Sequence, residues 1–433
     1  MPQDHVPETW KPEPLLAMVT DESSVRVRAI GAIPSDDSAP ILVADGLGEN
    51  MRFSWPSWSP DGGALLVSGT GHDEEGVRRV EVWRVTPDGS EEPTIVFRND
   101  SDSPGVIAPN VPHYVCWSPS SRMAAVVAQT RKGLMLHLVD ARRNVTPHAL
   151  MAGGPLYFAW APDSRGLAIH LGMDLVLFDT GSLGGPTDAS GSQRIVHDMP
   201  TFRAPVWTVD GSAFLYTTPN TSQGVTLWKS ARDGSGREAV VTLDGLSALV
   251  RAPQTDLVAA MPVVDDATKA LEITLISLDG ATRKLKTGPI SALIWAPDGS
   301  AIYYLSPMGI EASITLMRMD LASGERRPLA QFRPSADFST LLPFFDQFAH
   351  SHSLISADGR WLTFAGLAAN NGGGGRTGTT PQNGCYVVPS DGSAAPRRVG
   401  PGEISFFAPP IAGAAPDESA GPGASSFRPP PLI

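Results

Sequence analysis

Apolar and polar residues along the chain follow a recurring strand-turn-strand pattern. A run of apolar residues ends at a tryptophan, a turn rich in Pro, Asp and Gly follows, and a second apolar run begins. Five copies are clear: SWSPDGGALLVSG, CWSPSSRMAAVVA, AWAPDSRGLAIHL, VWTVDGSAFLYTT and IWAPDGSAIYYLS. Asp-Gly supports the positive φ angles of tight hairpin turns. The pattern therefore predicts antiparallel β-hairpins along most of the chain.

Two degenerate copies extend the series. They place Arg251 and Ile355 where the other copies have Trp58, Trp117, Trp160, Trp207 and Trp295, and the successive spacings are 59, 43, 47, 44, 44 and 60 residues. Further apolar runs, such as VEVWRV and PTIVF, predict a third and a fourth strand in each unit. A period of about 40–50 residues with four antiparallel strands is typical of a β-propeller blade. We predict an all-β propeller whose tryptophans pack between neighbouring blades.

The two ends of the chain carry an additional, split unit. LLAMVT, SVRVRAIG and PILVADG precede the first complete repeat, and EISFFAP follows the last one. If these segments pair, both termini close an eighth blade and no sheet edge is left open. We therefore predict eight four-stranded blades, with seven as the alternative. The predicted organisation is an N-terminal extension at 1–14, a single propeller domain at 15–409 and a Pro/Gly-rich tail at 410–433.

The WSPDG and WAPDG segments, each followed by an apolar strand, resemble the repeat of TolB-type β-propellers over nearly the whole chain. The resemblance implies the fold. Members of that family serve in protein docking or as substrate-handling domains, so the resemblance alone implies no single activity. A G-x-S-x-G nucleophile elbow, which a peptidase of the related class would need, does not occur in the sequence.

Composition and charge narrow the range of partners. Forty-three glycines and 40 prolines favour short elements and frequent turns. The formal charge of −12 opposes binding to nucleic acid or to anionic lipid. Cys116 and Cys385 lie far apart without metal-ligand spacing, and we predict two buried free thiols.

The chain as given contains neither a secretion signal nor an apolar run of about 18 residues. We expect a soluble, cytoplasmic protein without membrane insertion, or a periplasmic or secreted one if a signal has been removed.

One short segment could carry metal chemistry. In FFDQFAHSHSLIS, the spacing of Gln347, His350 and His352 is similar to a metal-binding stretch of oligogalacturonate lyases, and this resemblance implies a divalent metal such as manganese. His113 enters another predicted strand and could add a ligand, and Asp346 could orient one or be a surface charge. The alternative is a structural role for these side chains without any cofactor. We expect His350 and His352 to face one side of a strand.

Four long loops are predicted on one face of the propeller, at 69–77, 99–112, 331–350 and 367–382. They flank the closure and would form one raised sector. Within them, the stretch from Asn370 to Thr380 is glycine-rich, but no lysine follows as in a phosphate loop, and a flexible loop is favoured. The main hypothesis is a non-enzymatic scaffold that binds another protein or a small ligand through this face. The alternative is a metal-dependent polyuronate lyase or hydrolase that uses Gln347, His350 and His352.

Overall fold

A computed structural model describes most of the 433-residue chain. The described residues are 13–20, 23–31, 40–44, 51–99, 105–143, 146–181, 192–196, 203–220, 224–308, 312–369 and 383–409. Most of the predicted N-terminal extension, the glycine-rich stretch and the predicted tail at 410–433 lie outside these residues.

The described part of the chain is almost entirely antiparallel β-structure, as predicted. The strands that precede the last two repeats are β1 (Leu15–Val19), β2 (Val25–Ala29), β3 (Ile41–Ala44), β4 (Arg52–Trp58), β5 (Leu65–His72), β6 (Arg78–Val85), β7 (Thr94–Arg98), β8 (His113–Trp117), β9 (Met123–Thr130), β10 (Gly133–Asp140), β11 (His148–Ala152), β12 (Leu156–Trp160), β13 (Gly166–Leu171), β14 (Asp174–Asp179), β15 (Ser192–Val196), β16 (Val206–Trp207), β17 (Ala213–Pro219), β18 (Val225–Ala231), β19 (Arg237–Leu243), β20 (Ser247–Arg251), β21 (Val258–Pro262), β22 (Glu272–Ile276) and β23 (Thr282–Lys286). The remaining strands are β24 (Ala292–Trp295), β25 (Ala301–Met308), β26 (Ser313–Asp320), β27 (Arg326–Pro334), β28 (Trp361–Ala368), β29 (Asn383–Pro389), β30 (Arg397–Gly400) and β31 (Ile404–Phe407).

The sheets follow the repeats. Five four-stranded sheets each contain consecutive strands, from β4–β7 to β20–β23, in the described residues. A further four-stranded sheet has the order β3-β2-β1-β31, because β31 pairs antiparallel with β1. The two ends of the described chain therefore meet in one sheet, as the split repeat predicted. The molecule is a β-propeller, with the first strand of each sheet facing the axis.

The last two repeats form one seven-stranded sheet, β24 to β30. β27 extends beyond its own repeat and pairs with β28 at Phe332–Ala368, Arg333–Leu367 and Pro334–Gly366. The first strand of the last repeat is reduced to isolated bridges at Ser353 and Ile355. Because this sheet joins two repeats, the blade number, eight or seven, stays a prediction.

The repeated tryptophans connect neighbouring repeats. In five of them the buried indole Nε1 donates to a backbone carbonyl of the preceding repeat at 2.9–3.2 Å: Trp58 to Phe406, Trp117 to Ser57, Trp160 to Cys116, Trp207 to Ala159 and Trp295 to Val250. In each case the accepting residue immediately precedes the tryptophan position of its own repeat. The tryptophans are thus core residues that satisfy their only polar group across a repeat boundary.

Helices are few and short in the described residues. α1 (Ala336–Leu341), a 3-10 turn (Leu342–Phe344) and α2 (Phe345–Phe348) lie between β27 and the last repeat, and another 3-10 turn (Ala267–Lys269) precedes β22. None of the helices in the described part of the chain has the length and apolar character required to cross a membrane.

Ending the chain at Gly400 removes β31, in which Ile404, Phe406 and Phe407 are at most 1% exposed. It also removes the carbonyl that accepts the Trp58 hydrogen bond. We expect this truncation to cost more than about 5 kcal/mol, the whole stability of many domains, in denaturant unfolding.

A chain ending at Pro409 is the matched control, because it keeps β31 and every other described residue. Equal stability of the chains ending at 400 and 409 would contradict the role of β31 in closing the propeller.

Candidate functional site

The predicted metal motif lies in a segment that fills the axis of the propeller. We call residues 335–352 the central insert. Its α2 helix contacts β12, β20 and β24, which are first strands of three different sheets. The rings of Trp55 in β4 and of Phe348 in α2 lie 4.8 Å apart, and the ring of His352 lies 4.7 Å from that of Phe406 in β31. A segment that touches the inner strands of so many sheets occupies the centre of the ring.

The local sequence explains why this segment is helical. Ser335 is the N-cap of α1, and its Oγ accepts a hydrogen bond from the Phe338 backbone N–H at 3.1 Å. Phe338, Leu341, Phe345 and Phe348 follow at spacings of three, four and three residues and are at most 6% exposed. Such spacing places them on one helical face. This periodicity is the sequence signal for the central insert, and the prediction of a long loop at 331–350 did not use it.

Gln347 is bonded through every polar group of its side chain to the inner strands. Its Oε1 accepts from the Phe158 N–H at 2.9 Å, and its Nε2 donates to the Phe158 carbonyl at 2.8 Å and to the Tyr114 hydroxyl at 2.9 Å. The Tyr114 hydroxyl in turn donates to the Gln347 carbonyl at 3.0 Å. The amide thereby imitates a neighbouring strand and anchors the central insert to β8 and β12.

Asp346 is fully buried beside Gln347. Its Oδ1 lies 3.7 Å from Arg203 Nη1, and its Oδ2 accepts from the Ala204 N–H at 3.5 Å. Burial raises the pKa of this carboxyl, and the Arg203 cation partly offsets the effect. Asp346 is thus neither a surface charge nor close to a described cluster of metal ligands, but part of the packing that holds the central insert in place.

His352 lies in an aromatic cluster and is only 5% exposed. Its Nδ1 is 2.6 Å from Ser351 Oγ, and the rings of Phe348 and Phe406 pack edge-on against it. Burial in these surroundings lowers its pKa to about 3, because the imidazolium would lose its hydration. The side chain is neutral at neutral pH.

His350 lies at a turn after α2, and its side chain is exposed. It lines a recess together with Arg251, Pro253 and Pro297, which belong to the ends of first strands and to the turns that follow them. The walls of the recess displace part of its water and, with the Arg251 cation nearby, lower its pKa. His350 therefore differs from His352 both in exposure and in neighbours, and neither residue lies in a strand as expected.

The predicted ligand set is not brought together as a cluster of histidine and carboxylate ligands. Among the described residues, no group of three His, Cys, Asp or Glu side chains is placed to hold a metal ion. His113 is 1% exposed and bonded elsewhere, with Nε2 2.8 Å from Asn99 Oδ1 and Nδ1 3.3 Å from Ser68 Oγ. The metal site at Gln347, His350 and His352 stays a prediction, and the hydrogen bonds of Gln347 compete with it.

The longest predicted loop does not rise above the propeller. Residues 331–334 continue β27, and most of the remainder to residue 350 forms the central insert, so this loop folds inward. The apolar helical face explains the difference, since it is buried only at the axis. Part of the predicted loops at 99–112 and 367–382 lies outside the described residues.

Both cysteines are buried free thiols, as predicted. Burial raises the pKa of Cys116 and of Cys385 to about 12, so neither is a thiolate at neutral pH.

Comparisons with known proteins identify the fold only. No family model and no curated protein matches the chain. A crystal structure of a eukaryotic initiation factor is 11% identical and covers 93% of this chain and 100% of its own, with a TM-score of 0.53. An oligogalacturonate lyase in complex with manganese is 15% identical over 78% of this chain and 84% of its own, at a TM-score of 0.49. TolB from Acinetobacter baumannii is 16% identical over 77% of this chain and 79% of its own, at a TM-score of 0.39.

These similarities concern the fold alone. At such identities they favour neither binding nor catalysis for this chain.

The metal hypothesis can be tested directly. Because the Gln347 amide is already bonded to Phe158 and Tyr114, we expect the purified protein to contain less than stoichiometric metal by elemental analysis. We also expect manganese to leave the melting temperature unchanged, since only a ligand that prefers the folded state raises it. One bound metal per chain, lost in both His350→Ala and His352→Ala, would contradict this expectation and support the lyase-like alternative.

The buried His352 should make the protein sensitive to acid. Its pKa is about 3 in the folded state and about 6.5 when unfolded, so unfolding takes up a proton between these values. The contribution of neutral His352 to the free energy of unfolding is therefore fully present above pH 6.5 and is lost as the pH decreases toward 3. In His352→Phe, we expect the slope of unfolding free energy against pH to be smaller by up to about 1.4 kcal/mol per unit between pH 6 and pH 4.

Phe348→Leu is the control, because it disturbs the same aromatic cluster without removing an ionisable group. It should lower stability about equally at every pH in that range. The expectation fails if His352→Phe keeps the wild-type slope.

Proposed function

We propose that the chain is a non-enzymatic binding propeller that docks another protein on one face. This long-loop face carries the hairpins between second and third strands and the connections between successive sheets. The observation that supports the proposal is the distribution of large apolar side chains that remain exposed.

Seven of the ten exposed large apolar side chains among the described residues belong to the long-loop face: Val77, Met173, Val264, Leu271, Met308, Phe344 and Leu367. Six of them lie in or beside hairpins between second and third strands, and Phe344 belongs to the central insert. The other three are elsewhere, with Ile41 and Leu42 in the outer strand β3 and Val209 in a turn of the opposite face.

An exposed apolar side chain gains free energy when a partner covers it, by roughly 25 cal/mol per Å² removed from water. Single exposed apolar residues are ordinary, whereas a shared apolar surface marks an interaction site, and we propose that these residues of one face serve a single partner in this way. Methionine suits such a surface, because its flexible side chain adapts to the partner. The central insert gives Phe344 a fixed position near the axis, where its ring lies 6.4 Å from that of Tyr157.

The test compares two triple variants. Met173→Glu, Leu271→Glu and Met308→Glu place charges on the long-loop face, whereas Ile41→Glu, Leu42→Glu and Val209→Glu do so elsewhere. All six residues are exposed, so both variants should fold as the wild type does. Each protein is immobilised as bait, and captured proteins are quantified by mass spectrometry in extracts of the source organism.

We expect at least one protein to be captured stoichiometrically by the wild type and by the control variant, and to fall at least tenfold with the long-loop variant. The same protein, once purified, must also bind the wild type and the control variant at least tenfold more strongly than the long-loop variant. If both variants capture the same proteins in the same amounts as the wild type, the long-loop face is not the docking surface.

A further inference from the structure

A recess of about 210 Å³ lies between the central insert and the first strands of the neighbouring repeats. Its walls include Phe345 and Phe348 from α2, Ala292 to Trp295 from β24, and residues 353–357 from the last repeat. Pro253, Pro297 and Ala357, which belong to turns after first strands, also line it. The recess thus reaches the face opposite the long-loop face, and it is separate from the proposed docking surface.

Two departures from the tryptophan repeat lie at this recess. Arg251 and Ile355 occupy tryptophan positions, and both line it. In five other repeats the indole donates to the carbonyl just before the tryptophan position of the preceding repeat. For Ile355 the equivalent acceptor is Ile294, which also lines the recess. The recess therefore includes the space that an indole fills between other repeats.

The recess carries one cation and no carboxylate. Its lining contains Arg251 and no Asp or Glu. Nη1 of Arg251 donates to the carbonyls of Ala252, Pro253 and Thr255 at 2.8–3.3 Å, which holds the guanidinium in place. Arg251 forms no ion pair within 4 Å with another described residue, and the carboxylate of Asp256, which does not line the recess, acts on it only at longer range.

His350 adds a second polar group at the same place. The residue is exposed, and its ring nitrogens form no hydrogen bond with the described residues. A neutral imidazole can donate one hydrogen bond to a carboxylate, and a guanidinium can donate two in parallel. Arg251 and His350 thus offer donors to an anion at the edge of an apolar recess.

We propose that this recess binds a small aromatic monocarboxylate, with its carboxylate at Arg251 and His350 and its ring among Trp295, Leu354 and Ile355. The size agrees, because an apolar cavity of about 150 Å³ accepts benzene, and the larger recess leaves space for a short acidic substituent. The ring would recover the contacts that an indole makes at the other boundaries, and the carboxylate would pair with the described cation.

The first experiment is isothermal titration calorimetry of the full chain with phenylacetate and with phenylacetamide, each in buffer containing EDTA. The two probes share shape and differ in charge. We expect phenylacetate to bind with a dissociation constant on the order of 100 μM and the amide to bind at least tenfold more weakly. Absence of phenylacetate binding at up to about 5 mM, or equal affinity for both probes, would overturn the proposal.

Three variants locate the site. Arg251→Gln should weaken phenylacetate binding at least tenfold, whereas Arg283→Gln should leave it unchanged, because Arg283 likewise donates to a backbone carbonyl, that of Leu321, but does not line the recess. Ile355→Trp restores the repeat and should fill the recess. It should abolish binding and keep or raise the melting temperature, so that loss of binding is not loss of folding.

Phenylacetate binding that survives in Ile355→Trp would place the ligand elsewhere and overturn the assignment. Ile355→Trp should also keep the protein partners of the wild type, because the recess lies away from the long-loop face. Failure of the ligand proposal and failure of the docking proposal are therefore distinguished.

Discussion

The hydrogen bond from a tryptophan indole to the carbonyl of the preceding repeat is the interaction on which the ring depends. Sheets arranged around an axis share few backbone hydrogen bonds, so the boundaries are held mainly by side chains. A buried indole adds a large apolar area and must also find an acceptor for its N–H. One residue per repeat thus supplies both cohesion and a fixed offset between neighbouring sheets.

Where the indole is absent, other interactions take its place. At Ile355 the two repeats are joined by backbone pairing, because the end of β27 pairs antiparallel with β28. At Arg251 the guanidinium bonds to three carbonyls of its own turn instead of crossing the boundary. These boundaries are held differently from the others, and both line the recess beside His350.

The central insert solves a second problem of the ring, which is the space at its axis. Between β27 and the last repeat the chain forms two short helices, and their apolar face packs into this space. Because the helices cover the inner strands, backbone N–H and C=O groups of these strands need hydrogen-bond partners within the central insert. Gln347 meets this need at Phe158 with one donor and one acceptor, as a strand would.

The repeat made the fold predictable, because turn chemistry and strand periodicity recur in most copies and agree with one another. The pairing of β31 with β1 was also predictable, since the missing strand pattern at one end was present at the other. The candidate site was less predictable from the sequence. Gln347 and His352 have the residue types of a metal motif, but their partners Phe158 and Phe406 are distant in sequence, and only the folded chain brings them together.

The pairing of β31 with β1 also determines when the protein can fold. During synthesis β1 leaves the ribosome before the other described strands, whereas β31 follows after them. Until then the β1–β3 sheet exposes an unpaired edge, and Trp58 lacks its acceptor in Phe406. Translation at about 5–20 residues per second leaves this edge open for tens of seconds. The sheet that closes the ring therefore presents an edge open to premature association while the strands between β3 and β31 are being made.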